Sequence, residues 1–98
     1  VLDFDPDDDT ALFGLGKFYI QAKNYTDGIP LLQKCIAVSP KYSVAYAQLA
    51  KAYLALQNFS DFGEISTQGL AIAKKNGDRV PEKHIELLIQ QRDQLRGS

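Results

Sequence analysis

A five-residue segment of this chain returns 34 positions later. Leu-Gly-Lys-Phe-Tyr at 15–19 is followed by Leu-Ala-Lys-Ala-Tyr at 49–53. The same offset relates further residues, which are Pro6 and Pro40, Leu12 and Tyr46, Asn24 and Asn58, Tyr25 and Phe59, Asp27 and Asp61, and Ile36 and Leu70. A fixed period of this size is typical of stacked repeats, in which each unit buries its apolar face only against its neighbours. The period therefore constrains the architecture more than the identity of a partner.

The composition is that of a folded domain with little net charge. The chain has 98 residues, of which 45% are hydrophobic, and its net charge is -1. A chain of this length buries roughly two thirds of the surface that its unfolded form exposes. Nucleic acids and anionic membranes attract proteins with a strong basic surface, which this charge balance does not provide. We therefore expect neither nucleic acid nor membrane as a partner.

The cysteine content and the two ends of the chain bear on its origin. Cys35 is the single cysteine and cannot form an internal disulfide, which mildly favours a reducing compartment such as the cytoplasm. The N-terminus lacks the basic and long apolar regions of a signal peptide. The chain starts with Val1 instead of Met and ends in Gly-Ser. We expect an excised fragment or a processed chain.

Apolar residues recur at intervals of three and four through five segments, as they do in amphipathic helices. We predict helices over 10–23, 26–38, 43–56, 60–75 and 81–96. Acidic residues at 7–9 suit an N-cap, and Asn76-Gly77 suits a helix stop because glycine adopts the left-handed conformation readily. The residues expected to face inward include Leu12, Leu15, Phe18, Tyr19, Leu32, Cys35, Leu49, Tyr53, Leu56, Phe62, Gly69, Ile85, Leu88 and Leu95, while Arg92 is expected to face away.

Helix pairs with a 34-residue period resemble the tetratricopeptide repeat (TPR). Counted from Asp9, the first repeat supplies the family residues Leu12, Leu15, Gly16, Tyr19, Asn24, Tyr25, Gly28, Leu32, Cys35 and Pro40. Counted from Ser43, the second supplies Tyr46, Leu49, Ala50, Tyr53, Asn58, Phe59 and Leu70. The resemblance implies an all-α fold, an α-solenoid of antiparallel helix pairs in a right-handed superhelix with about five helices.

The same resemblance divides the chain into one TPR-like domain over 1–98. Residues 1–8 are interpreted as the tail of a preceding repeat, 9–42 as repeat 1, 43–76 as repeat 2, and 77–96 as a capping helix. Gly16 and Gly28 are expected to let the helices of the first pair approach closely. The second repeat departs from the family pattern at Phe62, Ser66, Gly69 and Lys74, which suggests an altered crossing of the second pair.

No arrangement of residues in the sequence points to catalysis. His84 is the only histidine and lies far in register from Cys35, whereas a catalytic Cys–His pair must be in hydrogen-bond contact. Cys35 falls at a small core position, where free cysteine is usually inert. The aspartates at 3–9 lack the Gly and Glu that a calcium loop requires at fixed places. We predict no catalytic, metal or cofactor site, and we interpret His84 as a partly exposed residue, with a partner contact or pH switch as the alternative.

The family resemblance implies a surface that binds a partner. In the family, the first helices of successive repeats line a concave groove, which would place Thr10, Phe13, Lys17, Ile20, Gln21, Ala47, Lys51, Leu54 and Ala55 there. Phe13, Ile20 and Leu54 are expected where the core does not require them. Lys17 and Lys51 would form a basic rung for a carboxylate. Alternatively, Phe13 and Ile20 pack against an absent preceding repeat.

Two functions remain open at this point. The first is a non-catalytic module that binds a peptide or partner protein in the groove. The second is a self-assembly element or a regulatory fragment of a larger protein, in which another copy covers the open end around Phe13, Phe18 and Leu2 to give a homodimer. A clamp for chaperone tails is not expected, because Phe13 and Ala47 stand where that clamp has polar ligands.

Overall fold

Five α-helices make up the part of the chain that the computed structural model describes, residues 7–97. They are α1 (Asp9–Gln21), α2 (Tyr25–Val38), α3 (Ser43–Ala55), α4 (Phe59–Asn76) and α5 (Arg79–Gly97). Each begins and ends within two residues of its predicted bounds, and the predicted all-α fold is confirmed. The interpretation of residues 1–6 as the end of an earlier repeat lies outside the described residues.

The helices form a stack in which α1, α3 and α5 lie side by side. α1 packs against α2 and α3 against α4, each pair joined by a short loop as in a helical hairpin. α2 contacts α3, and α5 covers both α3 and α4. Because α3 touches α1 as well as α5, these three helices are neighbours along one side of a body that measures 49 × 29 × 19 Å.

Local capping explains where several helices begin and end. The Asp8 side chain accepts hydrogen bonds from the N–H groups of Thr10 (3.0 Å) and Ala11 (3.2 Å), which satisfies two of the free donors of α1. Asn58 does the same for the N–H of Asp61 at the start of α4. Gly77 ends α4 with φ of 74°. The acidic N-cap and the glycine stop are thus confirmed.

Glycine sets the distance between the helices of the first pair. A Cβ on Gly28 would lie 3.0 Å from the Gly16 carbonyl oxygen, and a Cβ on Gly16 would lie 2.7 Å from Leu32 Cγ. A Cβ at either position would force Leu32 or Ile20 to shift, so the predicted close approach of α1 and α2 is confirmed. The equivalent positions of the second pair hold Ala50 and Phe62, which are both fully buried.

The second pair has its own tight contact, further along α4. A Cβ on Gly69 would lie 2.7 Å from Tyr46 Cβ on α3 and 2.8 Å from Ile85 Cδ1 on α5. Gly69 therefore sits where three helices meet, and its lack of a side chain lets α3 and α5 both approach α4. The free energy gained by this close packing offsets the low helix propensity of glycine.

Several expected inward-facing residues are in fact exposed. Phe18 is 62% exposed and Leu15 is also exposed, whereas Ala52 and Leu49 at the same positions of α3 are fully buried. The reason is that α3 has helices on both sides, while in the described part of the chain no helix precedes α1. Leu56 and Leu95 are exposed as well, at the ends of their helices. These four inward assignments were wrong.

The opposite error concerns Arg92. Its guanidinium lies 5.4 Å from the centroid of the Phe62 ring, and only about a fifth of its side chain is accessible. Arginine has a long apolar stem and a flat cationic group that stacks on aromatic rings. Arg92 therefore covers the buried Phe62 between α4 and α5 instead of pointing away from the core.

Two buried serines differ in their hydrogen bonding. Ser43 donates to the carboxylate of Asp78 at 2.5 Å, which ties the start of α3 to the start of α5. Ser66, at the position that Leu32 occupies in repeat 1, is equally buried but its hydroxyl has no protein partner among the described residues. A buried hydroxyl without a partner costs free energy that an apolar side chain avoids.

We predict opposite effects for one substitution at two glycines of α4. Gly69→Ala forces Tyr46 Cβ or the α4 backbone to move and should lower the free energy of unfolding by about 1–3 kcal/mol. A Cβ at Gly63 would have only Arg92 Nη1 within 4 Å, at 3.9 Å. Gly63→Ala should therefore raise the free energy of unfolding by up to about 1 kcal/mol, because alanine has the higher helix propensity. Urea denaturation followed by circular dichroism measures both. Equal effects at the two positions would contradict the packing role of Gly69.

The two buried serines give a second matched comparison. Ser66→Ala removes an unpaired hydroxyl and should raise the free energy of unfolding by about 1 kcal/mol. Ser43→Ala should lower it by about 1–2 kcal/mol, because the Asp78 carboxylate loses its donor. Thermal and urea denaturation of the two variants measure this difference. A loss of stability in Ser66→Ala would show that its hydroxyl is paired.

Candidate functional site

A pocket of about 480 Å³ lies between α3 and α5. Residues of α5 form one wall, and residues near the end of α3 form the other, with the start of α2 and the α3–α4 loop at the rim. The residues that line it are Tyr25, Lys51, Leu54, Ala55, Gln57, His84, Leu87, Leu88, Gln91 and Leu95. Six of these ten residues are apolar or aromatic and four are polar, a mixture that is common in binding pockets.

The helical periodicity of α5 places its contribution on one face. His84, Leu88, Gln91 and Leu95 follow one another at intervals of three and four residues, so their side chains share one side of the helix. Leu88 is buried and belongs to the core, whereas Leu87 and Leu95 are 56% and 54% exposed. The pocket thus has a buried apolar floor and an exposed apolar rim.

The charges around this pocket are of one sign. Lys51 is half-buried, and within residues 7–97 no carboxylate lies at ion-pair distance from it. Burial lowers the pKa of His84 below its usual value, and the nearby Lys51 ammonium lowers that pKa further. None of the lining residues is acidic. A half-buried cation beside a histidine therefore faces the pocket without a counter-charge.

The structure brings together three of the nine expected groove residues. Lys51, Leu54 and Ala55 line the pocket between α3 and α5. Phe13 and Lys17 lie together on α1, with the Lys17 ammonium 5.9 Å from the centroid of the Phe13 ring. The remaining members outside these two groups are the exposed Thr10 and Gln21 and the buried Ile20 and Ala47.

The expectation that Ile20 and Leu54 lie where the core does not require them is wrong. Ile20 is 1% exposed and packs against the space that the missing side chain of Gly28 leaves. The alternative that Ile20 packs against a preceding repeat is also wrong, because α2 already covers this side chain. Leu54 is 7% exposed and forms part of the pocket floor. Phe13 is half-buried, and its ring centroid lies 5.3 Å from that of Tyr42.

Sequence reasoning missed the contribution of α5 altogether. It interpreted this helix as a cap and placed Leu95 in the core, although the helix supplies half of the residues that line the pocket. The missed signal is Leu87, an apolar residue that lies off the side of α5 shared by Leu88 and Leu95 and away from the buried Ile85. A helix that only closes a stack does not need this additional exposed leucine.

The described residues show few features of other kinds of site. Within residues 7–97 no group of three His, Cys, Asp or Glu side chains is arranged to hold a metal ion. Among the described helices, none has the length and apolar character that crossing a membrane requires. The Cys35 thiol is fully buried, and burial followed by the nearby Asp9 raises its pKa to about 11. The predicted core position of this cysteine is confirmed.

A second hollow, of about 590 Å³, lies where the α2–α3 loop meets the turn before α5. Lys41, Ser43, Asp78 and Arg79 are among the residues that line it. Two of them, Ser43 and Asp78, are hydrogen-bonded to each other. This hollow therefore presents fewer free polar groups to a ligand than its lining suggests.

Comparisons with known proteins agree with the repeat period and the helix stack. The family model for the tetratricopeptide repeat matches residues 19–80, more than half of the chain. A TPR repeat-containing protein of Pseudomonas aeruginosa is 36% identical over 90 residues, which cover 90% of this chain and 86% of the relative. The solution NMR structure of a tetratricopeptide repeat domain protein from Salinibacter ruber has the same fold, with a TM-score of 0.81 and 20% identity over 96% of this chain and 95% of that one. The chain belongs to the tetratricopeptide repeat family.

Proposed function

We propose that this chain is a non-catalytic module that binds a peptide or a partner protein along the side formed by α1, α3 and α5. Repeats of this family generally mediate protein–protein interactions. The observation that carries the proposal is the pocket between α3 and α5, with its exposed apolar rim and unpaired Lys51. Exposed apolar surface around a concave site is typical of interaction surfaces.

The two lysines at equivalent positions give this surface its charge. Lys17 on α1 and Lys51 on α3 are both half-buried, so their stems lie against the protein while their ammonium groups reach solvent. They are 34 positions apart in the repeat. We infer that they orient the acidic part of a partner, since charges at the edge of an interface guide association and register more than they add affinity.

A self-assembly role is the second candidate, and a different observation favours it. Leu15 and Phe18 form an exposed apolar patch on α1, although their counterparts Leu49 and Ala52 on α3, a helix that contacts both α1 and α2, are fully buried. A second copy of the chain is the expected occupant, because a repeat unit is shaped to receive a helix pair of its own kind on this face. Partner binding and self-assembly use different sides of α1. The two roles are therefore compatible with each other and with a larger assembly.

Charge reversal of the lysines tests the groove. Lys17→Glu combined with Lys51→Glu should weaken the affinity for a purified partner by about tenfold, or 1.4 kcal/mol, and should reduce its dependence on salt. The partner is first retained on the immobilised wild-type chain, and its affinity is then measured by titration calorimetry. Lys34→Glu combined with Lys74→Glu, on α2 and α4, makes the same charge change elsewhere. Equal affinity for both double variants would refute the role of the lysines, provided that circular dichroism shows unchanged helicity.

Sedimentation across a dilution series tests the second candidate. If a copy covers the α1 patch, the wild-type chain should dimerise and Phe18→Glu should leave it monomeric, because a charge would replace an apolar contact. Leu87→Glu, at a similarly exposed apolar residue of α5, is the control and should leave the dimer intact. A chain that is monomeric at every concentration would rule out self-assembly through this patch.

A further inference from the structure

We propose that the pocket between α3 and α5 binds an acidic peptide segment, in which a bulky apolar side chain enters between the helices and a neighbouring carboxylate lies between Lys51 and His84. The proposal rests on the proposed interaction function and names the chemistry of the partner. It differs from the lysine rung, because it assigns recognition to one pocket and not to two successive repeats.

The apolar part of the pocket accounts for the bulky side chain. Leu54 and Leu88 provide a buried floor, and the exposed Leu87 and Leu95 stand at the rim. Ala55 is small and exposed, so it leaves open the space between them. A Leu or Phe side chain placed here would cover apolar surface on four sides, worth about 25 cal/mol for each Å² removed from water.

The charge of the pocket accounts for the carboxylate. Among residues 7–97, Lys51 is the only formally charged residue that lines the pocket, and it has no acidic partner there. Lys51 is a half-buried residue, so a carboxylate that reaches it in the pocket is partly shielded from water and gains more there than at a fully exposed lysine. Gln57 and Gln91, which also line the pocket, add donors that an acidic backbone segment can use.

His84 makes the site sensitive to pH. Lys51 of α3 and Tyr25 of α2 are the titratable groups that line the pocket with it, and the α3–α4 loop adds only the neutral Gln57. In the free chain, burial and Lys51 lower the pKa of His84. A bound carboxylate counters Lys51 and raises this pKa, so binding takes up a proton. Affinity must therefore rise as the pH falls through the bound-state pKa and level off below the free-state pKa.

The matched control comes from the repeat itself. Lys17 occupies in repeat 1 the position that Lys51 occupies in repeat 2, but it lies over the Phe13 ring and lines no part of this pocket. Lys17→Gln therefore removes the same charge from the same helical position outside the pocket. The difference between Lys17→Gln and Lys51→Gln isolates the contribution of the pocket.

The experiment uses the full 98-residue chain and two fluorescein-labelled peptides. Each has about ten residues with leucines three positions apart; one carries Asp beside each leucine, and the other carries Asn there. We expect fluorescence anisotropy to show at least about tenfold tighter binding of the Asp peptide. Lys51→Gln should weaken that peptide about tenfold and leave the Asn peptide unchanged, whereas Lys17→Gln should change neither beyond about twofold.

The pH dependence provides an independent readout. The Asp peptide should bind several-fold more tightly at about pH 5.5 than at about pH 8, and His84→Gln should remove that difference while keeping binding at the higher pH. NMR titration of the His84 ring should show its pKa rising when the peptide is added. Backbone amide shifts should change at Ala55 and Leu87 and not at Thr10.

The outcomes separate this proposal from the more general one. If the Asp peptide shows no saturable binding at about 1 mM, or binds no better than the Asn peptide, the acidic-peptide pocket is refuted; the general function survives if a retained partner still responds to the lysine reversal. Equal weakening by Lys17→Gln and Lys51→Gln refutes the pocket in favour of the rung. Self-association of the chain that Lys51→Gln abolishes shows that a second copy is the occupant, and also overturns the proposal.

Discussion

The close approach of two backbones at Gly16 and Gly28 is the contact on which the first helix pair depends. With no Cβ on either residue, Leu32 packs directly over Gly16 and Ile20 packs over Gly28. This draws Ile20 out of the solvent face and into the core. The second pair replaces the two glycines with Ala50 and the large Phe62, and its tight contact moves along α4 to Gly69, where Tyr46 and Ile85 both approach. The contact at Gly69 thus holds α3 and α5 close to α4 and to each other, and α5 forms one wall of the pocket.

Position in the stack determines what the same repeat residue does. Leu15 and Leu49 are equivalent in sequence, yet one is exposed and the other is fully buried because, of α1 and α3, only α3 has a helix pair before it in the described part of the chain. Lys17 and Lys51 diverge in the same way: one lies against Phe13 on α1, and the other faces α5 across a pocket. Repeat proteins bury each face only through the next unit. Equivalent residues therefore acquire different environments, and a site arises at one junction and not along the whole array.

The sequence predicts the helices, caps and family much better than it predicts the candidate site. Periodicity identifies an apolar face, and Asp8 and Gly77 mark helix ends through backbone chemistry that is local. Burial is not local, because Leu54 and Ile20 depend on which neighbouring helix covers them. The left-handed residues before Asn24 and Asn58 are Lys23 (φ 64°) and Gln57 (φ 57°), where the family pattern favours glycine, so the turn was recognisable only from its asparagine. The role of α5 was missed for the same reason as the burial of Leu54.

Protonation of His84 lowers the stability of the free chain and, in the proposed complex, would strengthen binding. The pKa of His84 is lower in the folded chain than its ordinary value of 6.5, so the unfolded chain binds this proton more readily. The contribution of His84 to stability is therefore complete above the unfolded pKa and declines as the pH falls below it. A carboxylate held between Lys51 and His84 would favour the protonated ring, and would therefore offset the free-energy cost of protonating His84 in the folded chain. Acid thus weakens the free fold at the same position where it would strengthen the proposed complex, so an acidic ligand bound there would stabilise the chain most at the pH that destabilises the empty pocket.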